Sequence, residues 1–232
     1  MSVFAFVFAR GGSKGLKDKN LMQLGGKPLL AWSIDVAKAI SKVDKIFVST
    51  DSKKIKKVAE ACNAIVIDRP DSLAADNAPE WLAWQHAVEW VERRLGAFDV
   101  FVSLPATAPL RDPEDVEMCI MEFTSEKAPD AVVTMTESER SPWFNMVKYD
   151  DSGFLSTVLS NNNMYTRRQD APLTYDMTTV CYVTSPGYIK ESRSLWEGNV
   201  SGVTIPKSRA VDIDTIEDFL FAEFLVSRKG MQ

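Results

Sequence analysis

A single histidine, His86, is present in the chain, and that scarcity excludes a good deal of chemistry. With one imidazole there is no histidine-based metal cluster, and a Ser-His-Asp or Cys-His mechanism would depend on it alone. His86 falls in the middle of a helical pattern and reads as structural. Cysteine is also sparse: Cys62, Cys119 and Cys181 are odd in number, widely spaced and form no C-x-x-C pair. They read as reduced core residues of a cytosolic protein. No apolar run approaches the roughly 20 residues needed to span a bilayer. The start Met1-Ser2-Val3-Phe4 lacks the charged region of a secretion signal. Positive charge is not in excess either, since 27 Lys and Arg stand against 32 Asp and Glu, a net charge of −5. The expectation is a cytoplasmic protein with neither a nucleic-acid nor a membrane partner.

What is present is ordinary globular composition over 232 residues, 45% hydrophobic and 25% charged. No low-complexity linker or internal repeat divides the chain, so 1–232 reads as one domain. Strand and helix patterns alternate over the first 135 residues. Strands are predicted at 3–9, 45–49, 64–67, 99–104 and 131–135, and helices at 29–40, 53–62, 79–95 and 113–123. Such alternation implies βαβ crossovers and a three-layer α/β/α fold with a mainly parallel sheet. The rhythm breaks between Thr136 and Tyr175, where two short stretches around Asp150-Asp151-Ser152-Gly153 suggest a hairpin. An excursion of this length, taken as an inserted arm over 137–175, is usually functional or an assembly element. The α/β pattern then resumes with strands at 180–183 and 203–205 and a final helix over 215–227.

The chemistry begins where the apolar run Val3-Phe4-Ala5-Phe6-Val7-Phe8 meets Ala9-Arg10-Gly11-Gly12-Ser13-Lys14-Gly15-Leu16-Lys17-Asp18-Lys19-Asn20. Glycines let backbone N–H groups approach a ligand closely, and the clustered cations match a polyphosphate. The spacing is neither a Walker A loop nor a dinucleotide fingerprint. The plain alternative is a glycine-rich connection with solvated lysines. However, open α/β sheets bind ligands at the carboxyl ends of their strands, which is where this loop lies. A second constellation, Val211-Asp212-Ile213-Asp214, would put two carboxylates on one side of an extended segment. Two such acids repel unless a divalent cation sits between them, and hard oxygen ligands suit Mg²⁺. Asp214 also reads as an N-cap of the last helix, with Glu217 completing a capping box. Asp51 is likewise open between a helix cap and an acid facing phosphates. Arg69 lies at another strand exit, and Arg167-Arg168 offers fork-shaped donors to a carboxylate or phosphate. Trp81, Trp84 and Trp90 are spaced for helix packing.

Together these segments resemble the CMP-sialic acid synthetase family, cytidylyltransferases of 3-deoxy-2-keto sugar acids. The resemblance spans the whole chain. It rests on Arg10 to Asn20, Val48-Ser49-Thr50-Asp51, Arg69-Pro70 with Leu73-Ala74 and Asp76, Thr107-Ala108-Pro109-Leu110-Arg111, Arg167-Arg168-Gln169-Asp170 and Val211-Asp212-Ile213-Asp214.

The resemblance implies that CTP is bound by Arg10, Gly11, Gly12, Ser13, Lys14, Gly15, Lys19, Asn20, Arg69, Asp76, Asn77 and Thr107. It implies catalytic roles for Arg10, Lys14, Lys19 and Asp214, with Mg²⁺ as cofactor on Asp212 and Asp214. Arg168, Gln169, Thr178 and Thr179 would face a small 2-keto-3-deoxy sugar acid. The arm would serve homodimerisation and complete the sugar site. Two positions depart from the family pattern. Pro105 stands where a glutamine is usual, and Thr178-Thr179 stand where Asn-Gly is common. The expected reaction transfers CMP from CTP to the anomeric hydroxyl of a nonulosonic acid, releasing pyrophosphate. A nucleotidyltransferase for another sugar or base, or a non-catalytic nucleotide-binding relative, shares the same motifs.

Overall fold

A computed structural model describes residues 1–12, 15–160 and 165–229. Its centre is a seven-stranded sheet in the order β11-β7-β10-β6-β1-β4-β5. The strands are β1 (Val3–Phe8), β4 (Lys45–Thr50), β5 (Ile65–Asp68), β6 (Val100–Ser103), β7 (Ala131–Glu137), β10 (Tyr175–Thr184) and β11 (Val200–Thr204). All pair in parallel except β10, which runs antiparallel to both β6 and β7. That reversal was not visible in the short apolar stretch at 180–183, because periodicity carries no strand direction.

Alternation along β1 shows how sequence builds the layers. Val3, Ala5 and Val7 face one core, and Phe4 and Phe6 face the other. The small aliphatic face is covered by α1 (Leu29–Ala39), α2 (Lys53–Ala61) and α4 (Pro113–Phe123), through residues such as Ile34, Ile55 and Ile120. The aromatic face is covered by α3 (Glu80–Leu95) and the short α5 (Pro186–Glu191), where Phe6 stacks on Phe47 and Phe101 at 5.0 and 4.3 Å. Each fully buried phenylalanine there is worth about 1.5–3 kcal/mol of burial. Helix α6 (Ile216–Lys229) packs Phe219 and Ala222 against Leu24, Leu29 and Ile213. Two minor ribbons complete the fold: β2 (Gln23–Leu24) with β3 (Lys27–Pro28), and β8 (Val147–Tyr149) with β9 (Leu155–Thr157).

The three-layer α/β/α expectation holds. From β1 the chain moves to β4 and β5 on one side, then to β6 on the other. This makes the carboxyl ends of β1 and β6 a topological switch point, where open sheets place their ligands. The segment between β7 and β10 leaves and returns at one place, because Tyr175 pairs with Glu137. Its β8–β9 ribbon is the hairpin suggested by the sequence.

Candidate functional site

Four strand exits build one edge of the site. Gly11, after β1, donates its N–H to Asp51 Oδ1 at 2.9 Å, and a Cβ on Gly11 would come within 3.0 Å of Ser52 Cβ. Asp51 is therefore a clamp on the loop. The cap of α2 is Ser52, whose Oγ accepts from Ile55 N–H. Asn20 is buried and donates to the Arg10 carbonyl at 3.2 Å, so it fixes the loop's course. Gly15 lies so close to the chain crossing it that a Cβ would sit 2.7 Å from the Asp214 carbonyl oxygen. Ser13 and Lys14 lie outside the described residues.

Lys19 joins this loop to the other end of the chain. Its Nζ donates to Asp214 Oδ1 and to the Ile213 carbonyl, each at 2.7 Å. Ile213 in turn donates its N–H to the Thr107 carbonyl at 2.8 Å. The 105–111 turn is braced from below by buried Arg111, which donates to Ser33 Oγ and the Pro105 carbonyl. Burial pushes the Arg111 pKa down to about 10, so it keeps its charge at neutral pH. Arg10, Gly15, Lys19, Asn20, Thr107 and Asp214 thus surround one cavity of about 400 Å³.

Arg10 also borders a second cavity of about 290 Å³ with Arg69, Asp76, Glu80, Phe8 and Thr107. Its Nη1 is 2.7 Å from Asp76 Oδ1. Arg69 donates to Ser49 Oγ and the Ser49 carbonyl, and lies over the Phe8 ring at 5.5 Å. Burial lowers its pKa, opposed by the nearby Glu80 and Asp51 charges. Glu80 was missed at the sequence level because an acid in a helix's first turn looks like ordinary dipole compensation. Its carboxyl is pushed up by the protein crowded around it, although the residue keeps an open face to solvent. Asn77 is exposed and lines neither cavity, and Gly12 has open space around it.

The remaining residues fall elsewhere. Asp212, Thr178 and Thr179 border a cavity of about 320 Å³ with Lys207 and Asp176. The register of β10 slips between Thr178 and Tyr182, an irregularity that aims side chains out of the ladder. Thr178 donates its hydroxyl to Thr134 Oγ1 at 2.8 Å. The Thr179 hydroxyl and Asp212 Oδ1 are buried without hydrogen-bond partners. Buried polar atoms left so are costly and mark a place for a polar ligand or an ion. Arg168 and Gln169 border a further cavity of about 230 Å³, where Arg168 donates to the Ser138 carbonyl at 3.0 Å.

Two expectations about the acidic segment are corrected. Residues 211–214 are irregular, not a strand, and Asp212 and Asp214 open onto different cavities. Two residues apart, their Cα atoms are separated by at most about 7 Å of chain. The cap of α6 is not Asp214 with Glu217. Thr215 Oγ1 accepts from Asp218 N–H, and Asp218 Oδ2 accepts from the N–H groups of Asp214 and Thr215. Asp214 is left for Lys19 and the cavity.

Residues 4–193 match the family described as cytidylyltransferase. The chain belongs to the cytidylyltransferase family. Among its relatives, a post-translational flagellin modification protein B from Campylobacter coli is 30% identical, over 99% of this chain and 97% of its own length. A CMP-N,N'-diacetyllegionaminic acid synthase from Campylobacter jejuni is 31% identical over the same shares. A solved CMP:2-keto-3-deoxy-manno-octonic acid synthetase complexed with CTP has the same fold, with a TM-score of 0.71 at 17% identity, covering 99% of this chain and 100% of that one. The family resemblance drawn from the motifs holds. As a cytidylyltransferase, the chain has no helix among the described residues long and apolar enough to cross a membrane.

Proposed function

We propose that this cytidylyltransferase transfers CMP from CTP to the anomeric hydroxyl of a nonulosonic, sialic-type acid in the cytoplasm. The anomeric oxygen forms a bond to the α-phosphorus, the bond from that phosphorus to the β-phosphate oxygen breaks, and pyrophosphate leaves. The observation that carries this reading is the junction of Lys19, Asp214 and Gly15, which joins the glycine loop to the acidic segment around one cavity. Arg10 borders both that cavity and the one holding Arg69, as a nucleotide requires when its base and phosphates occupy neighbouring spaces. The relatives named for CMP-activated sugar acids support the choice of acceptor.

Catalysis of this kind is positioning and charge neutralisation. Lys19 and Arg10 would hold the triphosphate, and Thr107 would present it to the acceptor side. Asp212 and Asp214 would hold Mg²⁺: although they open onto different cavities, their Cα atoms lie within about 7 Å of each other, and the orphaned Asp212 Oδ1 fits that assignment. Among the described residues no three acids, cysteines or histidines converge, which suits an ion completed by substrate oxygens. Such an ion supplies Lewis acidity at the α-phosphate. Thr179 and Arg168 would face the sugar acid. A second copy of the chain would cover the arm, where Tyr149, Phe154 and Leu155 are 76%, 73% and 60% exposed. Exposed apolar side chains grouped on one ribbon would suit such an interface.

The test is pyrophosphate release from CTP and Mg²⁺ across a panel of neuraminic, legionaminic, pseudaminic and octulosonic acids. Release with one of the nine-carbon acids is expected. CTP binding without release for any acid would overturn the reading in favour of a nucleotide-binding relative.

A further inference from the structure

Glu80 opens α3 and borders the cavity that also holds Arg69 and Phe8. The two charges sense each other, since each favours the ionised form of the other. No ion pair joins them among the described residues. Instead Arg69 spends two of its five N–H donors on Ser49, and Glu80 accepts from Trp84 Nε1 at a long 3.3 Å. A cation and an anion held apart across one space suit a flat ligand with acceptors and a donor on its edge. Cytosine has that edge, with O2 and N3 accepting and the exocyclic N4 amine donating. Uracil presents an acceptor, O4, in place of the amine.

We propose that Glu80 selects cytosine over uracil, accepting a hydrogen bond from the N4 amine while Arg69 donates to the ring's acceptors and Phe8 supplies an apolar wall. This rests on the CTP reading above. A carboxylate accepting from cytosine N4 is a recurrent pairing, and a good base-edge contact is worth about 10- to 100-fold in discrimination. Facing O4 of uracil, the same carboxylate meets a lone pair and repels it.

The competing role, an acid compensating the dipole of α3, affects stability and not base choice. Binding of CTP and of UTP is therefore measured by calorimetry on the full chain and on Glu80→Gln and Glu80→Ala, beside their thermal melts. The wild type is expected to favour CTP. Both variants should lower the CTP/UTP affinity ratio about 10- to 100-fold. In Glu80→Gln part of the change is a gain in UTP binding, because the carboxamide can donate to O4. Should neither variant fold, Glu80→Asp, one methylene shorter, should lower the ratio in the same direction. A ratio unchanged in folded variants, or a wild type without preference, overturns the inference. A melt shift with an intact ratio returns Glu80 to helix compensation. The readout needs no turnover, so wild-type pyrophosphate release judges the transfer reading separately.

Discussion

The proposed nucleotide side and the proposed acceptor side of this molecule are built on different terms. On the nucleotide side three described loop residues are tied down by hydrogen bonds: Gly11 to Asp51, Asn20 to the Arg10 carbonyl, Lys19 to Ile213 and Asp214. The strands beneath are buried on both faces. On the acceptor side, Arg168 is exposed, its neighbour Arg167 pairs with Asp170, and the β8–β9 ribbon buries almost nothing. A fold can preorganise phosphate chemistry within one chain. The proposed acceptor residue Arg168 sits on an arm that buries little of its own surface. The difference teaches that loss of rate and loss of substrate affinity should map to different regions.

The comparison breaks most sharply at Asp214. Asp214→Asn under saturating Mg²⁺ is expected to cost about 10²–10³ in kcat, measured as pyrophosphate release. Near wild-type turnover would remove Asp214 from the reaction. Next, Gly15→Ala drives a methyl into the Asp214 carbonyl and should lower kcat about 10²-fold, with the fold intact by circular dichroism. Arg168→Ala should raise the KM for the sugar acid about tenfold while sparing kcat and CTP binding. A defect confined to CTP would move Arg168 to the nucleotide side and dissolve the division.

The smallest effect belongs to Asp218→Ala, which removes the carboxylate half of the box that caps α6 at a cost of about 1 kcal/mol. That corresponds to a melting point lower by about 2–4 °C. Hydrogen bonds from the Thr215 backbone hold the Asp218 carboxyl below its usual range. With a folded pKa below the unfolded one, its contribution is present above the unfolded value of 3.8 and lost as pH falls through the folded one. Melts of wild type and variant should therefore differ at neutral pH and converge in acid.

Much of this was legible before folding. The alternating aromatic and small aliphatic positions of β1, the glycine loop and the α/β rhythm announce a ligand site at a strand exit, because alternation and glycine spacing are local properties. The direction of β10 was not legible, since antiparallel pairing depends on which neighbours receive the strand. Nor was the capping of α6, where aspartates at 214 and 218 offer competing caps and only backbone geometry chooses. Thr178 and Thr179 looked alike, yet one bonds within the sheet and the other is left without a partner.

By itself the sequence determined the layered fold and the cast of charged residues, since these follow from periodicity, glycine and charge placed close along the chain, while its motifs carried the family resemblance. Only the tertiary structure decided that Lys19 meets Asp214 across 195 positions, and that Glu80 shares a cavity with Arg69. The physical reason is that opposite charges act through distance in space, and the sheet order alone brings those strand ends together.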